Sequence, residues 1–271
     1  MWIIKKPFDY LEIVASINSN PKKFDVFRKI KSYSGIVENV SEIVGRSLFA
    51  SLSKESIKFL KNLELKEKIG QPRTFDYSGI NISPTTIRYV KILEEINFLT
   101  KNFHEVKRIA EIGVGYGGQA RVICEFLKQN NRNLKEYTFI DLYEVLILAN
   151  KYLDNFNFDN TCLFKTKSEL NNFPANSFYE YDLVISNYAF SEFSRSLQKE
   201  YIEKVFLKSK SGFILMNNGK TDKDGKHLCG KYGNSESMLD IELIKILPNC
   251  RVTPSSLATD GVYCLFFENT F

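Results

Sequence analysis

The stretch "IAEIGVGYGGQA", residues 109–120, decides the fold because an apolar run leads directly into a glycine-rich turn. Gly113, Gly115 and Gly118 fit G-x-G-x-x-G, the pattern of a strand that passes through a tight turn into a helix. Asp141 ends the next apolar run, about 23 positions after Gly118. This spacing is typical of a nucleotide-binding crevice in which a carboxylate binds ribose hydroxyl groups.

From Lys107 onward, short apolar runs alternate with helical segments, which predicts a mostly parallel sheet with helices on both faces. The predicted strands are RIAEIG (108–113), YTFIDL (137–142), TCLFK (161–165), YDLVIS (181–186), GFILMN (212–217), CRVTPS (250–255) and GVYCLFFE (261–268). Only a few residues join the last two runs, so we expect them to pair antiparallel. The fold class is therefore α/β and Rossmann-like, with a seven-stranded sheet whose last strand is antiparallel.

The first 68 residues predict a helical extension, since their apolar residues recur at three- and four-residue spacing. A loop rich in Gly, Pro, Ser and Thr follows, and Ser83-Pro84 then marks the start of a helix over about residues 84–99. We divide the chain into a helical extension (1–68), a loop and helix leading into the core (69–106) and a cofactor-binding domain (107–271).

The composition of the 271 residues excludes several classes of protein. Lys and Arg number 37 against 32 Asp and Glu, and they are scattered, so no nucleic acid partner is expected. The five cysteines are far apart with no C-x-x-C pair, which indicates reduced thiols. The N-terminus lacks the apolar core of a signal peptide, and no apolar stretch approaches the roughly 20 residues of a membrane span. We expect a cytoplasmic protein without a membrane span.

Glu111 distinguishes between two ligands for the glycine turn, because it lies two residues before Gly113 at the end of the first strand. A carboxylate 4 Å from a pyrophosphate charge is repelled by on the order of 4 kcal/mol at an effective dielectric constant of 20. S-adenosylmethionine instead offers a sulfonium and an ammonium group, which a carboxylate attracts. The charge of Glu111 favours this donor over a nicotinamide dinucleotide. The alternative is that Glu111 only braces the glycine loop through backbone N–H groups.

Four segments resemble the class I S-adenosylmethionine-dependent methyltransferases: SPTTIRYVK (83–91), EIGVGYGGQARVI (111–123), FIDLYEVLILANKYL (139–153) and DLVISNYAFSEFSRSLQKEYI (182–202). The first and last segments are similar to a narrower group, the bacterial sugar O-methyltransferases. The resemblance implies that a sugar hydroxyl group is methylated, on a nucleotide-sugar or on a surface-glycan intermediate of capsule or lipopolysaccharide synthesis. S-adenosylhomocysteine is then the product of the donor.

We expect the donor to bind where the first and fourth strands end, because ligands of open parallel sheets bind at the switch in strand order. The predicted cofactor-binding residues are Glu111, Gly113, Gly115, Tyr116, Gly117, Gly118, Gln119, Asp141, Leu142, Ser168, Asn187 and Tyr188.

On the acceptor side, a general base is needed because a sugar hydroxyl group is a poor nucleophile. Glu192 and His227 compete for this role, against the alternatives of a helix-start carboxylate and a solvated loop histidine. The predicted substrate-binding residues are Ser83, Thr85 and Arg88. No metal is predicted, since Asp222 and Asp224 are joined by no further group of ligands.

Three alternatives stay open at this point. The chain is a methyltransferase with a non-sugar acceptor, a non-catalytic cofactor-binding protein of the same fold, or a nicotinamide oxidoreductase that Glu111 disfavours. The partner is a small-molecule or glycan acceptor, and the oligomeric state is open, with a homodimer as one option. Residues 1–68 form a lid, a dimer surface or an acceptor-binding wall.

Overall fold

The N-terminal part of the chain is helical, as predicted. The computed structural model describes residues 7–100, 103–158, 164–167, 180–217, 220–221, 227–228, 236–257 and 262–269. The first helices are α1 (Pro7–Ser19), α2 (Pro21–Phe24), α3 (Lys31–Val37), α4 (Glu42–Ala50) and α5 (Lys54–Glu64). A hairpin of β1 (Phe75–Asp76) and β2 (Asn81–Ile82) then leads into α6 (Pro84–Leu99).

The start of α6 confirms the prediction made from Ser83-Pro84. The Oγ atom of Ser83 accepts a hydrogen bond from the N–H group of Thr85 at 3.1 Å. Pro84 takes the first helical position, where a missing N–H group has no consequence. The local sequence is therefore sufficient to fix where this helix begins.

Strands and helices alternate through the rest of the described chain. The elements are β3 (Arg108–Ile112), α7 (Gly118–Gln129), β4 (Glu136–Ile140), α8 (Tyr143–Leu153), β5 (Phe164–Lys167), β6 (Tyr181–Asn187), α9 (Arg195–Lys204), β7 (Ser209–Met216), β8 (Lys220–Thr221), β9 (His227–Leu228), α10 (Asp240–Ile246), β10 (Arg251–Thr253) and β11 (Tyr263–Glu268). Among the described residues, seven strands form one sheet in the order β10-β11-β7-β6-β3-β4-β5. Only β11 runs antiparallel to its two neighbours, so the predicted sheet and its antiparallel last strand are confirmed.

Alternate side chains of the sheet enter two apolar clusters on its opposite faces. Ile109 and Leu183 pack with α6, α7, α8 and the N-terminal helices, whereas Ala110 and Val184 pack with α9 and α10. Burial on both faces explains why each parallel strand is a nearly continuous apolar run. Because side chains alternate along a strand, Glu111 lies on the same face as Ile109, beneath the N-terminal helices.

A buried network of charged side chains attaches the N-terminal helices to α6 and α7. Arg28 pairs with Glu38 at 2.6 Å and with Glu67 at 3.1 Å, and Arg121 pairs with Glu67 at 2.8 Å. All four side chains are at most 6% exposed. Burial by itself raises the pKa of Glu67, but Arg28 and Arg121 outweigh it and hold that pKa below its ordinary value. The two guanidinium groups and two carboxylates compensate one another away from water.

We expect Glu67→Gln to lower the free energy of unfolding by about 3–5 kcal/mol, because it leaves two buried guanidinium groups without their shared carboxylate. Urea denaturation at pH 7 measures this change. Glu200→Gln is the matched control, since Glu200 forms an exposed pair with Lys204 at 3.8 Å. The control is expected to change stability by at most about 0.5 kcal/mol. Equal stability of the two variants would show that the network does not hold the helices in place.

Candidate functional site

A cavity of about 590 Å³ opens at the carboxyl ends of β3, β4 and β6. The sheet side of the cavity is formed by Glu111, the glycine loop after β3, Asp141 and Leu142 after β4, and the turn after β6. The facing wall comes from α1, from α3, α4 and the segment between them, and from α6. The glycine loop and the Asn187–Glu192 segment therefore face one crevice, as the sequence predicted.

Two glycines of the loop have different physical roles. Gly113 has φ +78°, and a Cβ atom there would lie 2.1 Å from the Cβ atom of Ala189, so glycine is required for the turn after β6 to approach. Gly115 has φ +55°, and a Cβ atom there would meet only Val37, at 4.0 Å. Gly115 thus leaves its backbone open to the cavity, and a ligand can approach it closely.

Asp141 braces the glycine loop through backbone N–H groups. The sequence had indicated this role as the alternative for Glu111. The Oδ2 atom of Asp141 accepts a hydrogen bond from the N–H group of Gly115 at 3.1 Å, and its Oδ1 atom accepts one from Leu142 at 2.7 Å. Glu111 instead accepts a hydrogen bond from the hydroxyl group of Tyr137 at 2.8 Å. Each carboxylate oxygen has two lone pairs, so Asp141 keeps acceptor capacity for a ligand.

Three carboxyl groups line the same cavity; those of Glu111 and Asp141 are buried, and that of Glu192 is half-buried. Burial raises the pKa of Glu111 to about 8, that of Asp141 to about 7 and that of Glu192 to about 8. The charge of Asp141 adds to the increase at Glu111 and at Glu192. A cation in the cavity favours the ionised carboxylates and lowers these pKa values, whereas an anion is repelled by them. The electrostatics of this side of the cavity therefore suit a cationic ligand.

The last residue of β6 and the turn that follows it place unpaired polar groups in the lining of the cavity. Both polar side-chain atoms of Asn187 are buried, and neither has a hydrogen-bond partner among the described residues. Tyr188 has φ +73°, a strained conformation for a non-glycine residue that is typical of functional sites. The raised pKa of Glu192 arises from burial and from Asp141, with no hydrogen bond opposing it. Buried polar groups are normally paired, so these groups indicate the position of a ligand.

Among the predicted cofactor-binding residues, Tyr116 both lines the cavity and makes structural contacts. It lines the cavity, but its hydroxyl group donates a hydrogen bond to Glu38 at 2.7 Å and its ring packs against Phe27 and Tyr152. Tyr116 therefore connects the glycine loop to the charged network as well as facing the ligand space.

Three predicted cofactor residues do not line the cavity and contact neighbouring helices instead, so their role toward the cofactor stays a prediction. Gly117 precedes α7 with φ +87°, and a Cβ atom there would lie 3.1 Å from Leu153. A Cβ atom at Gly118 would lie 2.4 Å from the ring of Tyr89. Gln119 is buried and donates a hydrogen bond to the carbonyl group of Tyr89 at 3.2 Å. These residues let α7 pack against α6 and α8.

Ser83 and Thr85 do not line this cavity either, so their role toward the substrate stays a prediction. Ser83 is buried and donates a hydrogen bond to Glu38 at 2.8 Å while it caps α6. Thr85 is buried within the first turn of α6. The SPTT segment is therefore used to start α6 and to connect it to the charged network. Arg88, one turn further along, does line the cavity.

Two predictions fall on parts of the chain without described side chains. Ser168 lies outside the described residues. The backbone of His227 pairs with Thr221 in the β8–β9 hairpin, but its side chain lies outside the described part of the structure. Both stay predictions.

Sequence reasoning missed Tyr10 and Asn39 of the facing wall, and Asn217 directly after β7 on the sheet side. Tyr10 and Asn39 precede the glycine loop by many residues and belong to no recognisable motif. Only the docking of the helices brings them to the site. Of the three roles considered for residues 1–68, a wall of the cavity is the one for which the structure provides contacts.

Several solved structures of methyltransferases are similar to this chain at low identity. An O-methyltransferase family protein from Burkholderia thailandensis is 13% identical, with 97% of this chain and 73% of that chain covered and a TM-score of 0.48. PigF with SAH is 11% identical, with 99% and 73% covered and a TM-score of 0.46. Monomeric WbdD is 12% identical, with 67% and 41% covered and a TM-score of 0.48. No protein-family model matches the chain, and no curated protein matches it.

At TM-scores below 0.5, these likenesses carry no argument about activity or substrate. The fold is identified from the order of the strands in the chain's own sheet. In that sheet, β11 lies antiparallel between β10 and β7 near one edge, and the other strands are parallel to one another. This is a methyltransferase-like α/β fold.

Two further observations concern membranes and metals. In the described part of the chain, no helix combines the length and apolar character that crossing a bilayer requires. The described residues also contain no group of three or more His, Cys, Asp or Glu side chains placed to hold a metal ion. Asp222 and Asp224 lie outside them, so the absence of a metal stays a prediction.

The raised pKa values predict how stability depends on pH. Folded Glu111, Asp141 and Glu192 hold protons that the unfolded chain releases near pH 4, so their contribution to the free energy of unfolding falls as the pH rises from about 5 to 8. We expect Glu192→Gln to reduce this fall by at least about 1 kcal/mol. Urea denaturation between pH 5 and 8 measures it, with Glu200→Gln as the exposed control. A Glu192→Gln profile that matches the control would contradict the burial of a titrating group.

Proposed function

We propose that this chain is an S-adenosylmethionine-dependent O-methyltransferase that acts on a sugar hydroxyl group. The observation that carries the proposal is the cluster of Glu111, Asp141 and Glu192 around a glycine loop that leaves its backbone open. These three carboxyl groups, of which Glu111 and Asp141 are buried and Glu192 is half-buried, favour the cationic sulfonium and ammonium groups of this donor over the diphosphate of a nicotinamide dinucleotide. The alternative of an oxidoreductase is correspondingly disfavoured.

Different residues of the cavity are chemically suited to bind different parts of the donor. Gly115 offers an approachable backbone, and Asp141 offers carboxylate oxygens to the ribose hydroxyl groups. Leu142 offers an apolar surface to the adenine ring. Glu111 offers a negative charge to the methionine portion, and the unpaired amide of Asn187 offers both a donor and an acceptor.

When bound, S-adenosylmethionine supplies an electrophilic methyl group, and the protein has to position and activate the acceptor. Glu192 is suited to accept the proton of the acceptor hydroxyl group at a carboxylate oxygen. Its burial and its pKa of about 8 make it a stronger base than an exposed glutamate. His227 remains the second candidate for this role. The N-terminal wall reduces the access of water to the cavity, which favours alignment of the reactants.

The sugar acceptor rests on the resemblance of residues 83–91 and 182–202 to sugar O-methyltransferases. The second of these segments contributes Asn187, Tyr188 and Glu192 to the cavity, which supports its use in the reaction. The first contributes Arg88 and Tyr89 to the cavity, and its Ser83 serves folding. We propose a nucleotide-sugar or a surface-glycan intermediate as the acceptor class. We also propose that the enzyme acts in the cytoplasm.

Binding of S-adenosylhomocysteine tests the donor. At 100 times its Kd, the compound is expected to add about 2.7 kcal/mol to the free energy of unfolding, and NADH is expected to add none. Gly115→Ala should abolish the effect, because the new methyl group lies at the cavity. Gly79→Ala is its control: Gly79 also has positive φ, at +84°, but nothing lies within 4 Å of a Cβ atom there. Stabilisation by NADH alone would overturn the donor assignment.

Two substitutions identify the base. Glu192→Gln is expected to lower kcat by 10²–10⁴-fold while the Kd of S-adenosylhomocysteine is retained, because the amide cannot accept the proton. His227→Gln is compared in parallel, and turnover is measured as S-adenosylhomocysteine formed with a panel of nucleotide-sugars. Loss of turnover in His227→Gln alone would transfer the role to the histidine. Full rates in both variants would show that neither residue is the base.

A further inference from the structure

Arg88 is the one cationic side chain among the described residues that line the cavity. Its Cζ atom lies 5.5 Å from the ring centroids of both Tyr89 and Tyr188. One terminal nitrogen donates a hydrogen bond to the Oδ1 atom of Asn39 at 3.0 Å. The rings and the amide hold the group in place from α6, from the turn after β6 and from the segment between α3 and α4.

The guanidinium group is held without a carboxylate. Among the described residues, no carboxylate oxygen lies within 4.0 Å of it, and its Nε atom is buried without a hydrogen-bond partner. Arg28 and Arg121, which are fully buried whereas Arg88 is half-buried, each have a carboxylate at 3.1 Å or less. Arginine stays protonated in proteins, so Arg88 brings to the cavity a positive charge that has no direct carboxylate partner and on which Glu38 acts only at longer range.

The charges of the cavity are therefore separated. The carboxyl groups of Glu111, Asp141 and Glu192 extend from the sheet, and Arg88 extends from α6 beside Tyr188. The sulfonium and ammonium groups of the donor suit the first group, and the donor's own carboxylate is the alternative partner of Arg88, which the Kd of S-adenosylhomocysteine in the Arg88 variants tests. The donor groups of a guanidinium lie in its plane, which matches the geometry of phosphate and carboxylate oxygens.

We propose that Arg88 binds an anionic group of the methyl acceptor, a phosphate or a carboxylate, and so fixes the acceptor beside Tyr188 with its hydroxyl group toward Glu192. This inference rests on the proposed function and narrows it. Sugar phosphates, nucleotide-sugars and uronic acids belong to the class of acceptor, and neutral sugars do not. Arg88 then distinguishes acceptors by charge at a distance from the reacting hydroxyl group.

Calorimetric titration tests this with α-D-glucose 1-phosphate, D-glucuronate and neutral methyl α-D-glucoside, with and without saturating S-adenosylhomocysteine. We expect at least one anionic probe to bind the wild-type protein, and the neutral glucoside to bind at least tenfold more weakly. Comparing the affinities of glucose 1-phosphate and glucuronate shows whether Arg88 binds a phosphate or a carboxylate. Arg88→Gln should weaken the anionic probe at least tenfold, and Arg88→Lys, which keeps the charge but not the planar donors, should weaken it less.

Arg46→Gln is the matched control, because Arg46 also lies over a tyrosine ring, at 5.4 Å from Tyr77, but does not line the cavity. Its affinity for the probes should equal that of the wild type. The Kd of S-adenosylhomocysteine, measured in each variant, reports both folding and the donor site. If S-adenosylhomocysteine fails to bind the wild type, the proposed function fails, whereas the titrations without it still report on Arg88.

Three results would overturn the assignment of Arg88. They are equal anion affinity in the wild type and in Arg88→Gln, binding of the neutral glucoside as tight as that of the anions, and no binding of either anion to the wild type.

Discussion

The buried carboxylate of Glu67 and the guanidinium groups of Arg28 and Arg121 form the contact on which the site depends. They join a helical segment from the start of the chain to the helix that follows the glycine loop. Glu38 extends the network to Ser83 at the start of α6 and to Tyr116 in the loop. Charges buried in this way are costly unless all of their partners are present, so the network tolerates few alternative arrangements. The wall of the cavity is consequently held in a single position against the sheet.

The docking of the N-terminal helices against the sheet also explains why the carboxyl groups that line the cavity have raised pKa values. Glu111 lies on the same face of β3 as the buried Ile109, and the N-terminal helices cover that face of the sheet. Without them, Asp141 and Glu192 would end at an open sheet edge and be hydrated. Burial makes each carboxyl group sensitive to the charge of a ligand, because Coulomb interactions strengthen as water is removed. The extension thereby shapes the chemistry of a site whose central motif lies elsewhere in the sequence.

Glycine-loop folds of this kind bind anionic and cationic ligands with nearly the same backbone. In this chain, the difference lies in a few side chains around the loop: carboxyl groups on the sheet, and a guanidinium group held between two tyrosine rings. Tyr188 contributes through strain as well as through its ring, since its positive φ turns the chain after β6 toward α6. The separation of charges is a property of the assembled cavity and of no single motif.

The sequence by itself determined the sheet, the antiparallel last strand, the start of α6 and the loop containing Gly113 and Gly115, because these follow from local apolar patterns and turn chemistry. It also identified Glu111, Asp141 and Glu192 from their positions at strand ends. Only the tertiary structure showed that Gly117, Gly118, Gln119, Ser83 and Thr85 do not line the cavity, and that Tyr10 and Asn39 face the ligand space. Whether a polar residue lines a cavity or braces a helix depends on what packs against it. That neighbour is brought by long-range docking, which leaves no periodic signal in the sequence.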